Sequence, residues 1–179
     1  MGMAPSIEPT LRMLRPAEAA AFWALRLRAL REHPEAFASS VEEEENVPLD
    51  VIRARLESQS PSTNLVLGAF VNDRLVGMAG IRRDTFRKEA HKARIWGMYV
   101  ASELQGRGLG KRLLEAAIDA GRRMGGIEQL QLGVVVGNVR ARALFQSQGF
   151  ESYGVEKRAL HVGERYFDEE FLSLSLTRG

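Results

Sequence analysis

The sequence contains no cysteine. That excludes disulfide staples, thiolate ligands for zinc or iron–sulfur clusters, and a thiol nucleophile that would carry an acyl group covalently. Nor is there an apolar run near the roughly 20 residues needed to cross a bilayer. The longest apolar stretch toward the start, Ala19 to Leu25, falls far short. Met1 to Arg15 shows no basic head, apolar core or small-residue cleavage site of an export signal. These absences predict a cytoplasmic protein. Excess charge of one sign is missing too: 25 Lys plus Arg against 23 Asp plus Glu leave a formal +2. That balance argues against nucleic acid or an anionic membrane as the main partner. Of the 25 cations 21 are Arg, which keeps local phosphate sites in play.

What is present suits one globular domain: 179 residues, 45% hydrophobic and 27% charged. Residues 1–9 read as a flexible leader and 10–179 as the domain. Thr10 to Arg15 makes a first strand, ended by the Arg15-Pro16 step. Ala17 to Arg31 is strongly helix-forming, with Phe22, Leu25 and Leu30 near one face, and His33-Pro34 stops it. Ser40 and Glu43 have capping-box spacing at the head of the acidic run Glu42 to Glu45, and a second helix covers about Pro48 to Ser58. Leu65 to Val71 and Leu75 to Ile81 form a hairpin across Asn72-Asp73. The polar stretch Arg82 to Lys92 is expected to be a loop.

Ala93 to Val100 follows as a strand, and Gly97 inside it marks a bulge or a close backbone approach. Leu109 to Met124 is a periodic helix stopped by Gly125-Gly126. A strand over Leu130 to Val136, a helix over Asn138 to Gln148, and strands over Phe150 to Arg158 and Arg165 to Leu176 complete the chain. This order predicts an α/β domain with a mixed, mostly antiparallel sheet, in which one internal parallel pair is flanked by antiparallel strands and helices.

The chemically informative segment is Val100-Ala-Ser-Glu-Leu-Gln105-Gly-Arg-Gly-Leu-Gly110-Lys-Arg112, where a strand ends, a Gly-rich turn follows and a helix begins. Helix N-termini expose unpaired N–H groups and positive dipole, so phosphate binds there readily. Glycines at 106, 108 and 110 let a pyrophosphate approach the main chain, and Arg107, Lys111 and Arg112 supply countercharge. Two common phosphate motifs fail. A Walker loop needs four residues between its first glycine and Gly-Lys, then Ser or Thr, whereas Gly106 and Gly110 enclose three and Arg112 follows Lys111. The dinucleotide fingerprint needs a glycine where Lys111 stands.

Gln105-x-x-Gly108-x-Gly110 does match Q/R-x-x-G-x-G/A, and Asn138-x-x-Ala141-x-x-Leu144-Phe145-x-x-x-Gly149-Phe150 matches N-x-x-A-x-x-L-Y-x-x-x-G-F. In both motifs, in their order, and over about Thr10 to Leu176, the chain resembles the GNAT superfamily of acyl-CoA-dependent N-acyltransferases. The resemblance implies a GNAT-like fold whose central parallel strands splay apart, with the pantetheine arm of acetyl-CoA lying in the gap. It implies that the main chain of Gln105, Gly106, Arg107, Gly108, Gly110 and Lys111 holds the CoA pyrophosphate. Met98 and Val100 are implied to bind the acyl and pantetheine part, the Met98 N–H serving as oxyanion donor. Asn138 is implied to contact the cofactor through its side chain, a position that also suits a helix N-cap. No metal is expected, since His33, His91 and His161 lie far apart in sequence.

Two positions depart from the family pattern. The family often places a tyrosine where Phe145 stands, to protonate the leaving sulfur. Tyr153 and Tyr166 are the candidate substitutes, and water is the alternative, because a thiol near pKa 8.5 is a fair leaving group. Some members carry a glutamate base where Arg94 stands, and a guanidinium cannot accept a proton. Water, another carboxylate or His91 is left for that role. The Glu42 to Glu45 run reads either as attraction for a cationic acceptor or as a solvated helix start. Phe37, Trp96 and Tyr99 are candidates for an acceptor pocket or for core. Arg140 and Arg142 either reach the CoA 3′-phosphate or face solvent.

The expected activity is transfer of an acetyl group from acetyl-CoA to a primary amine of a small molecule by direct attack. The alternatives are a peptide or protein amine as acceptor, N-terminal or lysine, and a non-catalytic CoA-binding regulatory module. A homodimer stays open.

Overall fold

The structure, a computed structural model, describes residues 8–177, so the expected leader lies outside the described residues except for Glu8 and Pro9. The chain order is β1 (Thr10–Met13), α1 (Ala19–Glu32), α2 (Val41–Glu44), α3 (Leu49–Glu57), β2 (Asn64–Val71), β3 (Arg74–Arg83), β4 (Lys92–Val100), α4 (Leu109–Arg123), β5 (Gln129–Val135), α5 (Val139–Ser147), β6 (Glu151–Val162) and β7 (Arg165–Ser175). Short 3₁₀ turns cover Pro16–Glu18, Pro34–Ala36 and Ser102–Leu104.

Seven strands form one sheet in the order β1-β2-β3-β4-β5-β7-β6. Every neighbouring pair is antiparallel except β4 with β5. This is the α/β architecture expected from the element order. The β2–β3 turn has Asn72 at φ 49° and Asp73 at φ 60°, the two left-handed residues of a tight hairpin turn. Several boundaries differ from expectation by a few residues, β1 for instance ending at Met13, and two of them have a clear cause in strand pairing. Arg82 and Arg83 belong to β3 because they pair with Arg94 and Ala93, which shortens the expected loop. β6 continues to Val162 because Leu160, His161 and Val162 pair with Phe167, Tyr166 and Arg165.

Each face of the sheet is covered by helices. Along α4, Leu109, Leu113, Leu114, Ala117 and Ile118 fall on one stripe and pack on Leu67, Ile81, Ile95, Leu130 and Leu132. Leu113 and Leu114 are fully buried, so truncating either to Ala costs about 2–5 kcal/mol. Gly121 sits where α4 comes closest to the sheet; an added Cβ would lie 2.7 Å from the Leu130 side chain. On the other face α1 and α3 bury Phe22, Trp23, Leu25, Ile52 and Leu56 against Val66, Phe70, Met78 and Tyr99.

The feature that makes a site is a break in the middle of the sheet. β4 and β5 pair only at Lys92–Gln129, Ala93–Leu130 and Arg94–Gln131. Beyond that, β4 bends away. Gly80 pairs with Trp96 and Met78 with Tyr99, so β4 carries one extra residue in between. Gly97 adopts φ +61° there, the left-handed turn of a bulge that glycine tolerates best. A wedge opens between β4 and β5.

Candidate active site

The turn that leaves the wedge is shaped by its own side chains. After Val100, a 3₁₀ turn over Ser102–Leu104 brings Gln105 back, and its Nε2 donates to the Val100 carbonyl at 2.9 Å. Gly106 and Gly108 have φ +78° and +80°. Such values strain any residue with a Cβ. Gly108 is the N-cap of α4, and no side chain caps that helix. A Cβ built on Gly108 meets nothing within 4 Å, so the uncapped head of α4 borders open space.

That space is a cavity of about 380 Å³. Met98, Val100, Gln105, Gly106, Gly108, Gly110, Lys111 and Asn138 line it, which brings together the implied cofactor residues except Arg107. Arg107 is exposed outside the lining. Asn138 caps α5, its Oδ1 accepting from the Ala141 amide at 3.1 Å. Arg140 leans over the glycine turn: its Nη1 approaches Gln105 Oε1 at 3.5 Å, and its Nη2 lies 3.4 Å from where a Gly106 Cβ would be. Arg142 points elsewhere and donates to the buried Glu170 carboxylate at 2.5 and 3.1 Å. Left-handed glycines, an uncapped helix start and the cations Lys111 and Arg140 on one rim fit the diphosphate end of CoA.

The proposed substitutes for the missing tyrosine lie elsewhere. Phe145 is buried at the cavity wall, edge-on to Phe150. Tyr153 is 54% exposed and stacks on Phe171; Tyr166 is 48% exposed and stacks on His161, 4.2 Å between ring centres. Neither lines the cavity. Arg94 Nε donates to Asp84 at 3.1 Å, and His91 lies at the far end of β4, its carbonyl accepting from the Glu128 amide.

Tyr99 is buried in the core and also forms part of the cavity wall. Its hydroxyl donates to Glu32 at 2.5 Å, and burial together with that carboxylate pushes its pKa up. Sequence reasoning missed His33 as a site residue. It closes the α1 end of the cavity beside Phe37, and only the fold brings it near the glycine turn.

Most of the acidic run is consumed structurally. Glu43 completes a capping box with Ser40. Glu44 accepts from Arg26 twice at 3.0 Å, and from Ser39. Burial works to raise the Glu44 pKa, but the hydrogen bonds from Arg26 and Ser39 outweigh it and hold it below the usual carboxylate range. Glu45 lies 4.0 Å from Arg31. Glu42 alone of the four lines an open surface.

That surface is a groove of about 800 Å³ between the connection over residues 34–42 and the tip of the β6–β7 hairpin at residues 159–163. A third space of about 100 Å³ is the wedge itself, walled by Trp96, Gly97 and Met98 on one side and by Leu132 and Gly133 on the other. Phe37 lines all three spaces. The cofactor-type cavity and the wedge share Met98 at the β4 bulge, and the groove adjoins both at Phe37.

The model of the acetyltransferase (GNAT) family matches residues 24–150. This chain belongs to that family. In sequence it is similar to the N-alpha-acetyltransferase RimI of Mycobacterium tuberculosis, 37% identical over 110 residues, which are 59% of this chain and 63% of that one. The match thus spans less than two thirds of that relative. In structure it resembles the GNAT-family acetyltransferase of Streptococcus pneumoniae, with a TM-score of 0.86 at 24% identity over 95% of this chain and all of the other. It also resembles yncA of Salmonella typhimurium, solved with its cofactor acetyl-CoA, with a TM-score of 0.83 at 25% identity over 96% of each chain. Among the described residues, no helix is long and apolar enough to cross a membrane.

Proposed function

We propose that the protein is an acetyl-CoA-dependent N-acetyltransferase that acetylates a primary amine of a small molecule directly, without a covalent enzyme intermediate. The observation that carries this is that the motif-lined cavity opens on the wedge at Met98 and shares Phe37 with the neighbouring groove. The groove volume of about 800 Å³ falls within the range of small-ligand sites. Bound acetyl-CoA supplies the activated acyl carbon; the rest is positioning and electrostatics by this chain.

The amides from Gln105 to Lys111 hold the diphosphate, with Lys111 and Arg140 as countercharge. Asn138 keeps its capping bond and offers its amide nitrogen to the cavity. Val100 and Met98 align the pantetheine arm along the splayed edge of β4, and the Met98 N–H, in the bulge, faces the oxygen on which charge develops. Phe37 keeps bulk water from the junction of cavity and groove. Phe145 cannot donate a proton, and Tyr153 and Tyr166 stand outside the cavity, so water protonates the leaving sulfur in this reading. Changing both tyrosines to Phe leaves the rate and its pH profile unaltered; a loss of about tenfold or more returns one of them to the acid role.

A second acceptor, a peptide α-amine, is favoured by the similarity to RimI. One experiment separates the readings: calorimetry with acetyl-CoA, then thiol release with a panel of small amines and of peptides with free N-termini. Release with small amines and not with peptides supports the first acceptor, and the reverse supports the second. Binding without release to any amine leaves the regulatory module. Absence of binding overturns them all.

A further inference from the structure

Glu169 is a carboxylate that the architecture leaves unused. Alternation along β7 sends Glu170 toward α5, where Arg142 holds it, and puts Glu169 on the opposite face of the sheet. There it lies across Gly133 of β5: a Cβ on Gly133 would overlap the Glu169 carboxylate. Gly133 is exposed and lines the wedge opposite Gly97 and Met98. The bare position at 133 thus lets a half-buried carboxylate lie against a wall residue of the space where the acyl group is placed by the proposed function, with Gly133 alone between that wall and Glu169. The carboxylate position on β4 holds Arg94 instead, already engaged by Asp84.

We propose that Glu169 is the catalytic base, taking the proton of the acceptor amine; this rests on the acetyltransferase reading above. As the nitrogen bonds to the acyl carbon, the carbon–sulfur bond breaks. The nitrogen's proton passes to the Glu169 carboxylate and on to water, and the sulfur takes a proton from water. The neighbourhood suits the task. Burial first, then repulsion from Glu156, its partner across β6, raise the Glu169 pKa. The 3₁₀ turn Pro34–Ala36 packs on β5 and β6 and brings Glu35 and the adjoining His33, which lie 3.9 Å from each other, while Arg26 Nη1 stands at Gly97 on the other wall of the wedge. A carboxylate held above its ordinary range is a better proton acceptor at neutral pH than a solvated one.

The test compares wild type, Glu169→Gln and Glu156→Gln. Gln is nearly isosteric, so folding survives and acetyl-CoA affinity by calorimetry stays at the wild-type value. The kcat of Glu169→Gln falls on the order of 10²–10⁴-fold and the acid limb of its kcat/KM profile disappears. In Glu156→Gln that limb moves to lower pH, because the repulsion is gone. Carbon-13 NMR of the Glu169 carboxyl gives a readout that needs no turnover: its midpoint lies above that of an exposed glutamate and drops in Glu156→Gln. An active wild type with Glu169→Gln at the same rate and pH limb overturns the role of Glu169 and leaves the acetyltransferase standing. A midpoint at or below the exposed value overturns it as well. A wild type inert to every amine overturns both.

Discussion

The Gln105 side-chain amide donates to the Val100 carbonyl at 2.9 Å, tying the last residue of β4 to the turn that starts α4. The glutamine of the motif is therefore a brace: it fixes the path of the main chain at the glycine turn that lines the cavity. Removing one such bond costs about 0.5–1.5 kcal/mol. Gln105→Ala accordingly weakens acetyl-CoA binding by roughly 3–10-fold by calorimetry, and kcat with saturating cofactor stays within about twofold. A loss confined to kcat contradicts the brace.

Gly108 is tested by size. At φ +80°, with nothing within 4 Å of a built Cβ, a side chain there meets open space and not the core. Gly108→Ala costs about 1–2 kcal/mol of backbone strain, seen as a lower melting temperature. Gly108→Trp fills the approach to the α4 amides and abolishes acetyl-CoA binding while far-UV dichroism is retained. Undiminished affinity removes the turn from the site.

Arg26 and Glu44 form a buried ion pair, with 10% and 15% of their side chains exposed. One guanidinium nitrogen, Nη1, has no partner and sits 3.5 Å from where a Gly97 Cβ would be. Arg26→Ala leaves the Glu44 carboxylate stranded and lowers stability by roughly 3 kcal/mol in urea melts. It also loosens the connection bearing Phe37, over whose ring the guanidinium lies at 5.0 Å. The deficit shrinks on acidification. Glu44, held below its ordinary pKa, contributes stability above the unfolded value near 4.3 and loses it as pH falls through the lower folded value. A deficit independent of pH refutes the pairing.

The sign reverses at Glu169, whose pKa is raised by burial and by Glu156. Above that raised value the folded state carries a charge it disfavours, so the residue costs stability at neutral pH. Glu169→Gln melts at a higher temperature than wild type at pH 7.5, and the advantage vanishes below about pH 4, where the side chain is protonated in both states. An equal or lower melting temperature at neutral pH contradicts the burial.

The elements with strong periodicity were legible from the residues alone: the apolar stripe of α4, the Asn72-Asp73 hairpin and the glycine turn between β4 and α4. So was Gly97 as a bulge, because only glycine makes that φ cheap. The far end of β6 was not. Arg158 at φ 55° and the polar residues around it carry no strand signal, and pairing to β7 alone extends the strand. His33 and Glu169 were illegible for a related reason. Neither belongs to a local motif, and each is placed by tertiary packing, His33 at the cavity wall by the end of α1 and Glu169 over Gly133 by the register of β7 on β5.

Three residue pairs are all that stitch β4 to β5. Mechanically the sheet is two panels, β1–β4 and β5–β7, meeting along a short seam with a notch beyond it. A molecule seated in the notch with main-chain bonds to either panel lengthens that seam, so cofactor occupancy and the rigidity of the β5–β7 panel rise together.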